Sequence, residues 1–204
     1  MDYSYEKNLQ DQGFQLICGI DEAGRGPFAG PIVAGAVILN SEKNSFFDLL
    51  KDSKVLTEKK REQVLPFILQ ESLAWAIGVV SAAEIDKHGL GYANKLAMKK
   101  AWYFLKVKPN YILCDYMAGV KFETPHELII GGDSKVISIS AASIVAKVFR
   151  DRMMLAFDRK YPEYGFAKHK GYGTKVHLEK IKELGYCPIH RRSFRMDFTK
   201  GISC

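Results

Sequence analysis

The 204-residue chain has no apolar run long enough to span a bilayer. The longest, PIVAGAVIL and LAWAIGVV, fall well short of the roughly 20 residues a membrane helix needs. The opening residues, MDYSYEKNLQDQG, lack the basic start and apolar middle of a secretory leader, so a cytoplasmic protein is expected. Cysteine is scarce. The four, at 18, 114, 187 and 204, share no repeated spacing, which argues against a disulfide framework, and Cys18 and Cys114 sit in apolar runs that suit buried thiols. CPIH, Cys187 to His190, offers two metal ligands without the further pair a zinc site requires. No stretch rich in Pro, Gly or Ser divides the chain, and no low-complexity tract or internal repeat is present. A single domain over residues 1–204 is expected, with a flexible N-terminus over 1–14 and a basic helical extension over 160–204 that binds substrate.

Positive charge is plentiful. Thirty Lys and Arg against 23 Asp and Glu leave a net +7, which suggests a polyanionic partner. The basic residues are dense from Lys147 to Arg195 and alternate with Tyr161, Tyr164, Phe166, Tyr172 and Phe194. That mixture suits phosphates together with sugar or base faces.

Apolar patterning predicts strands over residues 15–22 and 31–39, joined by a Gly- and Pro-rich turn, and a third over 73–80. Helices are predicted over 57–72, 82–88 and 92–105. NYILCDY forms a short strand ending at Asp115, and ETPHELIIGGDSK is another apolar run closing on Asp133. Residues 139–160 carry apolar side chains at helical spacing for several turns, and 174–184 form a last helix. Strands that first pair as neighbours and then alternate with helices define an α/β fold: a mixed central sheet flanked by helices.

Three apolar runs therefore end on acids, in GIDE, ILCD and IIGGD. An Asp at one strand end commonly caps a turn. Converging strand ends could instead gather Asp21, Glu22, Asp115 and Asp133 at one point. Such a cluster repels itself unless cations neutralise it, and hard carboxylate oxygens suit magnesium or manganese. Because neighbours on a strand point to opposite faces, Asp21 and Glu22 can cooperate only if the strand bends or ends there, which Ala23 and Gly24 would allow.

The motifs GIDEAGRGPFAGP, DSK at 52–54, GDSK at 132–135, AASIVAKVFRDRMM at 141–154, and KGYGTKVH with CPIHRRSF resemble the type 2 ribonucleases H, and among them bacterial ribonuclease HII. The stretch ahead of the first motif is too short for the added N-terminal domain of the HIII subtype. The resemblance implies a ribonuclease H-like fold and an endonuclease that cuts the RNA strand of RNA-DNA hybrids. It also implies cleavage on the 5′ side of ribonucleotides embedded in duplex DNA, leaving 5′-phosphate and 3′-hydroxyl ends, with roles in DNA repair and replication. Its catalytic acids fall on Asp21, Glu22, Asp115 and Asp133, holding two Mg2+ or Mn2+ ions. By the same analogy Asp21 bridges the ions, Asp133 completes the site for the attacking water, and Glu22 and Asp115 hold the ion at the leaving oxygen. Gly24, Arg25 and Gly26 would read the ribose 2′-hydroxyl, and Tyr172 would stack on the next, deoxy sugar. Ser53 and Lys54 would hold phosphate, Lys147 would face the DNA strand, and Lys170, His190, Arg191 and Arg192 would form a duplex-binding tail. Tyr116 and Ser134 stand where the family usually has glycine and alanine. His169 and His177 receive no proton-carrying role. The alternatives are a junction resolvase, which would not need the glycine-arginine-glycine reader, and a non-catalytic duplex-binding module, which would gain affinity by losing the acids. A monomer is expected.

Overall fold

In the computed structural model, residues 3–41, 46–50 and 56–195 are described. Five strands among them, β1 (Ile17–Ala23), β2 (Ile32–Ile38), β3 (Ala74–Val80), β4 (Tyr111–Asp115) and β5 (His126–Ile129), form one sheet in the order β3-β2-β1-β4-β5. The β1-β2 and β2-β3 pairs are antiparallel, and β1-β4 and β4-β5 are parallel. Every residue of β2 is buried, as its uninterrupted apolar run requires of a strand covered on both faces.

The helices are α1 (Ser4–Asp11), α2 (Phe47–Leu50), α3 (Glu58–Glu71), α4 (Ala82–His88), α5 (Leu90–Tyr103), α6 (Ile137–Lys160), α7 (Phe166–His169) and α8 (Lys175–Leu184). On one face of the sheet, Ala93, Ala97, Met98 and Ala101 of α5 meet Ile20, Ala36, Ile112 and Cys114. On the other, Ala141, Ala142, Val145 and Val148 of α6 join Val64, Leu65 and Ile68 of α3 against Val37. Burying each large aliphatic side chain there contributes about 1.5–3 kcal/mol. Gly19 and Gly35 let α6 lie close: a Cβ on either would collide with the helix backbone, at Ser138 and Ala142 respectively. Substituting either glycine would push the helix off the sheet. Among the described residues no helix is long and apolar enough to cross a membrane.

Two local expectations are corrected. The segment expected to be a flexible N-terminus instead forms α1, with Glu6 and Leu9 buried. The cause lies far along the chain: α6 has no side-chain N-cap of its own, and the Glu6 carboxylate accepts the Ser138 N–H at 2.8 Å, placing negative charge at the positive end of that helix. The acid Asp133 does not end a strand. β5 stops at Ile129, and Gly131, with φ +64, turns the chain into a short 3-10 segment, Gly132–Ser134, that leads into α6.

The C-terminal region rests on the far end of α6. Met154, Tyr164, Phe166, Ile181 and Ile189 form a small core of their own there, which carries the loop containing Tyr172.

Candidate active site

β1 and β4 are in register at Ile20 and Cys114, so Asp21 and Asp115 follow side by side at the C-terminal ends of parallel neighbours. Ligand oxygens of Asp21, Glu22 and Asp115 all lie within 4.8 Å of one another. Of the two ways expected, the strand does not end to achieve this: pairing with β2 runs unbroken through Glu22 to Ala23. Instead the Asp21 carboxylate folds along its own strand, where Oδ1 accepts the Glu22 N–H at 2.7 Å.

Burial, then the charges of Glu22 and Asp115, push Asp21 well above the ordinary carboxylate range, against the opposing hydrogen bonds from Ser143 and the Glu22 amide. Burial and the Asp115 charge also raise Glu22, while the Asn94 amide and the Arg25 guanidinium favour its ionised form. Glu22 Oε2 is nonetheless buried without a hydrogen-bond partner. A protein ordinarily satisfies a buried carboxylate oxygen; one left over in a group of three acids fits the coordination of a hard divalent cation.

The position of Asp115 is fixed by the Gly132 N–H, which donates to its Oδ1 at 2.8 Å. Asp133 is the next residue, half-buried on the 3-10 turn. The structure thus brings three of the four expected acids together and sets the fourth beside the amide that holds Asp115, outside the close group.

Glu22 also lines a cleft of about 380 Å³ bounded by Gly24, Arg25 and Gly26, by Arg61 of α3, by Ser143 and Lys147 of α6, and by Tyr172. Gly24 has φ +98, and a Cβ there would strike the Arg150 side chain and come within 2.7 Å of the Pro31 carbonyl oxygen. A Cβ on Gly26 would lie 3.9 Å from the Tyr172 ring, so these residues face one another. Tyr172 is 44% exposed, with Lys147 Nζ and the Arg150 guanidinium each 5.9 Å from its ring centroid. Lys147 also donates to Asp151 Oδ1 at 2.7 Å.

Several residues expected on a duplex-binding tail are placed inside the protein. Arg191 is fully buried: Nη2 donates to the Gly24 carbonyl at 2.6 Å, Nη1 to that of Arg25 at 3.0 Å and Nε to that of Gly30 at 2.9 Å. Burial, with the nearby Arg150 charge, lowers it to about 9. Lys170 is largely buried, donates to the Ala167 carbonyl at 2.6 Å and pairs with Glu58 at 3.3 Å. His190 is also buried. Arg192, by contrast, is exposed, its backbone N–H anchored on Asp86. Ser53 and Lys54 lie outside the described residues.

Sequence reasoning passed over Asn94, Ser143, Arg61 and Arg150. Ser143 and Lys147 are one helical turn apart on α6, and an amide amid Ala93, Ala97 and Met98 is conspicuous; these were the available signals. Arg150 is fully buried and supports the same loops from below, donating to the carbonyls of Pro31, Ala29 and Lys170 at 3.0, 3.1 and 3.1 Å.

A mixed sheet between helix layers with clustered acids at its central strand ends is the architecture of ribonuclease H-like nucleases. Solved structures agree: the ribonuclease H2 of Pyrococcus horikoshii is similar with a TM-score of 0.74 and 31% identity, covering 88% of this chain and 94% of that one. The ribonuclease HII of Archaeoglobus fulgidus, solved with PCNA, has a TM-score of 0.73 and 25% identity over 87% and 92%. The family described as Ribonuclease HII matches residues 18–200, and the chain belongs to it, an enzyme family that cleaves RNA in RNA-DNA hybrids. Its curated relatives include the ribonuclease HII of Caldanaerobacter subterraneus, 47% identical over 97% of this chain and 81% of the relative. That of Acholeplasma laidlawii is 48% identical over 94% and 93%.

Proposed function

We propose that this enzyme cuts RNA-DNA hybrids and the 5′ side of single ribonucleotides embedded in duplex DNA, using two divalent cations, Mg2+ or Mn2+, and leaving 5′-phosphate and 3′-hydroxyl ends. The observation that carries the reading is the group of three carboxylates within 4.8 Å, opening onto a cleft shared with the Gly24–Gly26 backbone and Tyr172. Asp21, Glu22, Asp115 and Asp133 are the residues that would hold the ions. Bound there, the ions would lower the pKa of an attacking water and offset charge on the departing 3′ oxygen.

The protein's own groups do the positioning. Arg191 fixes the peptide planes of Gly24 and Arg25 from behind, so the loop is arranged before a ribose arrives; the missing side chain at Gly26 leaves room for the ribose, and the Tyr172 ring would contact the next, deoxy sugar. Lys147 and Arg61 supply positive charge along the cleft for backbone phosphates. This selectivity suits ribonucleotide removal from DNA and the removal of RNA primers.

The test is a DNA duplex carrying one ribonucleotide, incubated with Mg2+ or Mn2+. A single cut on its 5′ side supports the proposal. Cleavage confined to branched DNA would instead favour a resolvase, and binding without cleavage would favour a duplex-binding module.

A further inference from the structure

His169, His177 and His190 stack as a column beneath the Tyr172 loop. The first two ring centroids are 4.4 Å apart at 17°, and the second and third 5.2 Å apart at 29°. His177 and His190 are buried, at 0% and 2% exposure, and Phe166 lies within 6 Å of all three rings.

The hydrogen bonds around this column have only one consistent direction. The Cys187 N–H can only donate, so His190 Nδ1, 2.9 Å away, accepts and carries no proton; the Cys187 carbonyl is farther, at 3.3 Å. The proton of His190 is then on Nε2, which donates to His177 Nε2 at 3.0 Å. His177 must in turn carry its proton on Nδ1, and that nitrogen lies 2.8 Å from the Tyr172 carbonyl, which can only accept. All four ring nitrogens are thereby used, and neither ring can gain a proton without losing a bond. Burial and the neighbouring histidines hold both rings at about 4, neutral at physiological pH. His169 acts on the residue before: its Nδ1 accepts the Gly171 N–H at 3.2 Å.

We propose that His190 and His177 are positioning residues for Tyr172: a directional relay from the Cys187 amide through both rings fixes the Tyr172 peptide, and with it the ring that contacts the deoxy sugar beside the ribonucleotide. This rests on the reading of Tyr172 given above. The selectivity of the enzyme for an RNA-to-DNA junction then depends on a histidine pair that touches neither substrate nor the acids.

Two measurements test it. In the wild-type enzyme, nitrogen NMR of the histidine rings should show His190 as the Nε2–H tautomer and His177 as the Nδ1–H tautomer; the opposite assignment for either overturns the relay, with no variant needed. The second compares His177→Asn with His177→Gln. An asparagine amide falls where Nδ1 was and can still donate to the Tyr172 carbonyl, whereas the longer glutamine presents its amide where Nε2 was. Steady-state cleavage is measured on a single-ribonucleotide duplex and on a uniform RNA-DNA hybrid. We expect His177→Gln to lose about tenfold in kcat/KM on the first, mostly through KM, and much less on the second, with His177→Asn recovering most of the loss. Combining His177→Gln with Tyr172→Ala should add nothing to the loss caused by Tyr172→Ala alone. Equal losses on both substrates, an asparagine variant no better than glutamine, or additive losses overturn the relay while leaving the role of Tyr172 intact. If Tyr172→Ala itself keeps full junction selectivity, the reading of Tyr172 falls, and the relay falls with it.

Discussion

Asp21→Asn should stabilise the metal-free protein while destroying its activity. Asp21 is only 6% exposed and shares with Glu22 and Asp115 a space in which ligand oxygens lie within 4.8 Å. Two unit charges at that separation repel by about 3 kcal/mol at an effective dielectric constant of about 20. The free protein relieves part of this by retaining protons, as the raised Asp21 carboxyl indicates. Asparagine removes the charge and keeps Oδ1 as an acceptor for the Glu22 N–H, so a gain of about 1–3 kcal/mol is expected. For a chain of this size that corresponds to a Tm rise of about 3–10 °C. The assay is differential scanning calorimetry at pH 8, in EDTA and in Mg2+ or Mn2+. The wild type should gain about 2.7 kcal/mol at a metal concentration about 100 times Kd; the variant should lose most of that gain and all cleavage. A variant that melts below the wild type in EDTA, or that responds to metal as the wild type does, would refute the electrostatic reasoning.

Gly24→Ala forces a side chain into a position with φ +98 against Arg150 and the Pro31 carbonyl; a loss of about 2–3 kcal/mol in urea denaturation is expected, with kcat/KM falling further than stability alone explains. Arg191→Lys leaves a single ammonium to serve three carbonyls, so stability should fall by about 2–4 kcal/mol while the salt dependence of duplex binding keeps its slope. Arg192→Ala should do the reverse, reducing that slope by about one unit in log-log plots at unchanged Tm. For pH, His177 and His190 are held at about 4 in the folded state against 6.5 unperturbed. Below 6.5 the unfolded chain binds protons that the folded one refuses, so stability is full above that value and declines as pH falls towards 4. With His169 and Arg192 the charged or titratable neighbours that reinforce this lowering, His190→Gln should flatten the urea midpoint profile across that window, and an unchanged profile would count against the buried neutral pair.

The sheet was legible because its signals are local: period and apolar run length define β1 to β4 and the long helix α6 from their own residues. The acids in GIDE and ILCD were legible for the same reason, since each closes an apolar strand. Asp133 was misplaced because the Gly131 and Gly132 that follow β5 read equally well as a strand end or as a left-handed turn into a helix. α1 was missed because its stability depends on a partner over a hundred residues away, the α6 N–H that Glu6 accepts. The basic residues show the limit most clearly. HRR reads as three equivalent surface positions, yet His190 and Arg191 are buried and Arg192 is exposed, because only the tertiary path of the loop decides which side chain faces the Gly24 and Arg25 carbonyls.

That distribution also changes the meaning of the net +7. Among the described residues Arg150 and Arg191 make no ion pair with a carboxylate; between them they engage six backbone carbonyls, drawn from the loop after β1 and from Lys170. Burying a guanidinium costs several kcal/mol unless it is hydrogen-bonded, and here every guanidinium nitrogen except Nη1 of Arg150 has a carbonyl partner. The cost is borne when the chain folds, so the peptide planes beside the cleft are already oriented when substrate binds and little ordering is left for that step. Two positive charges in a low-dielectric setting beneath those loops also favour an approaching phosphate without touching it. The acids repel the nucleic acid and the buried arginines attract it, and the two groups are separated by the width of one short loop, Gly24 to Pro31.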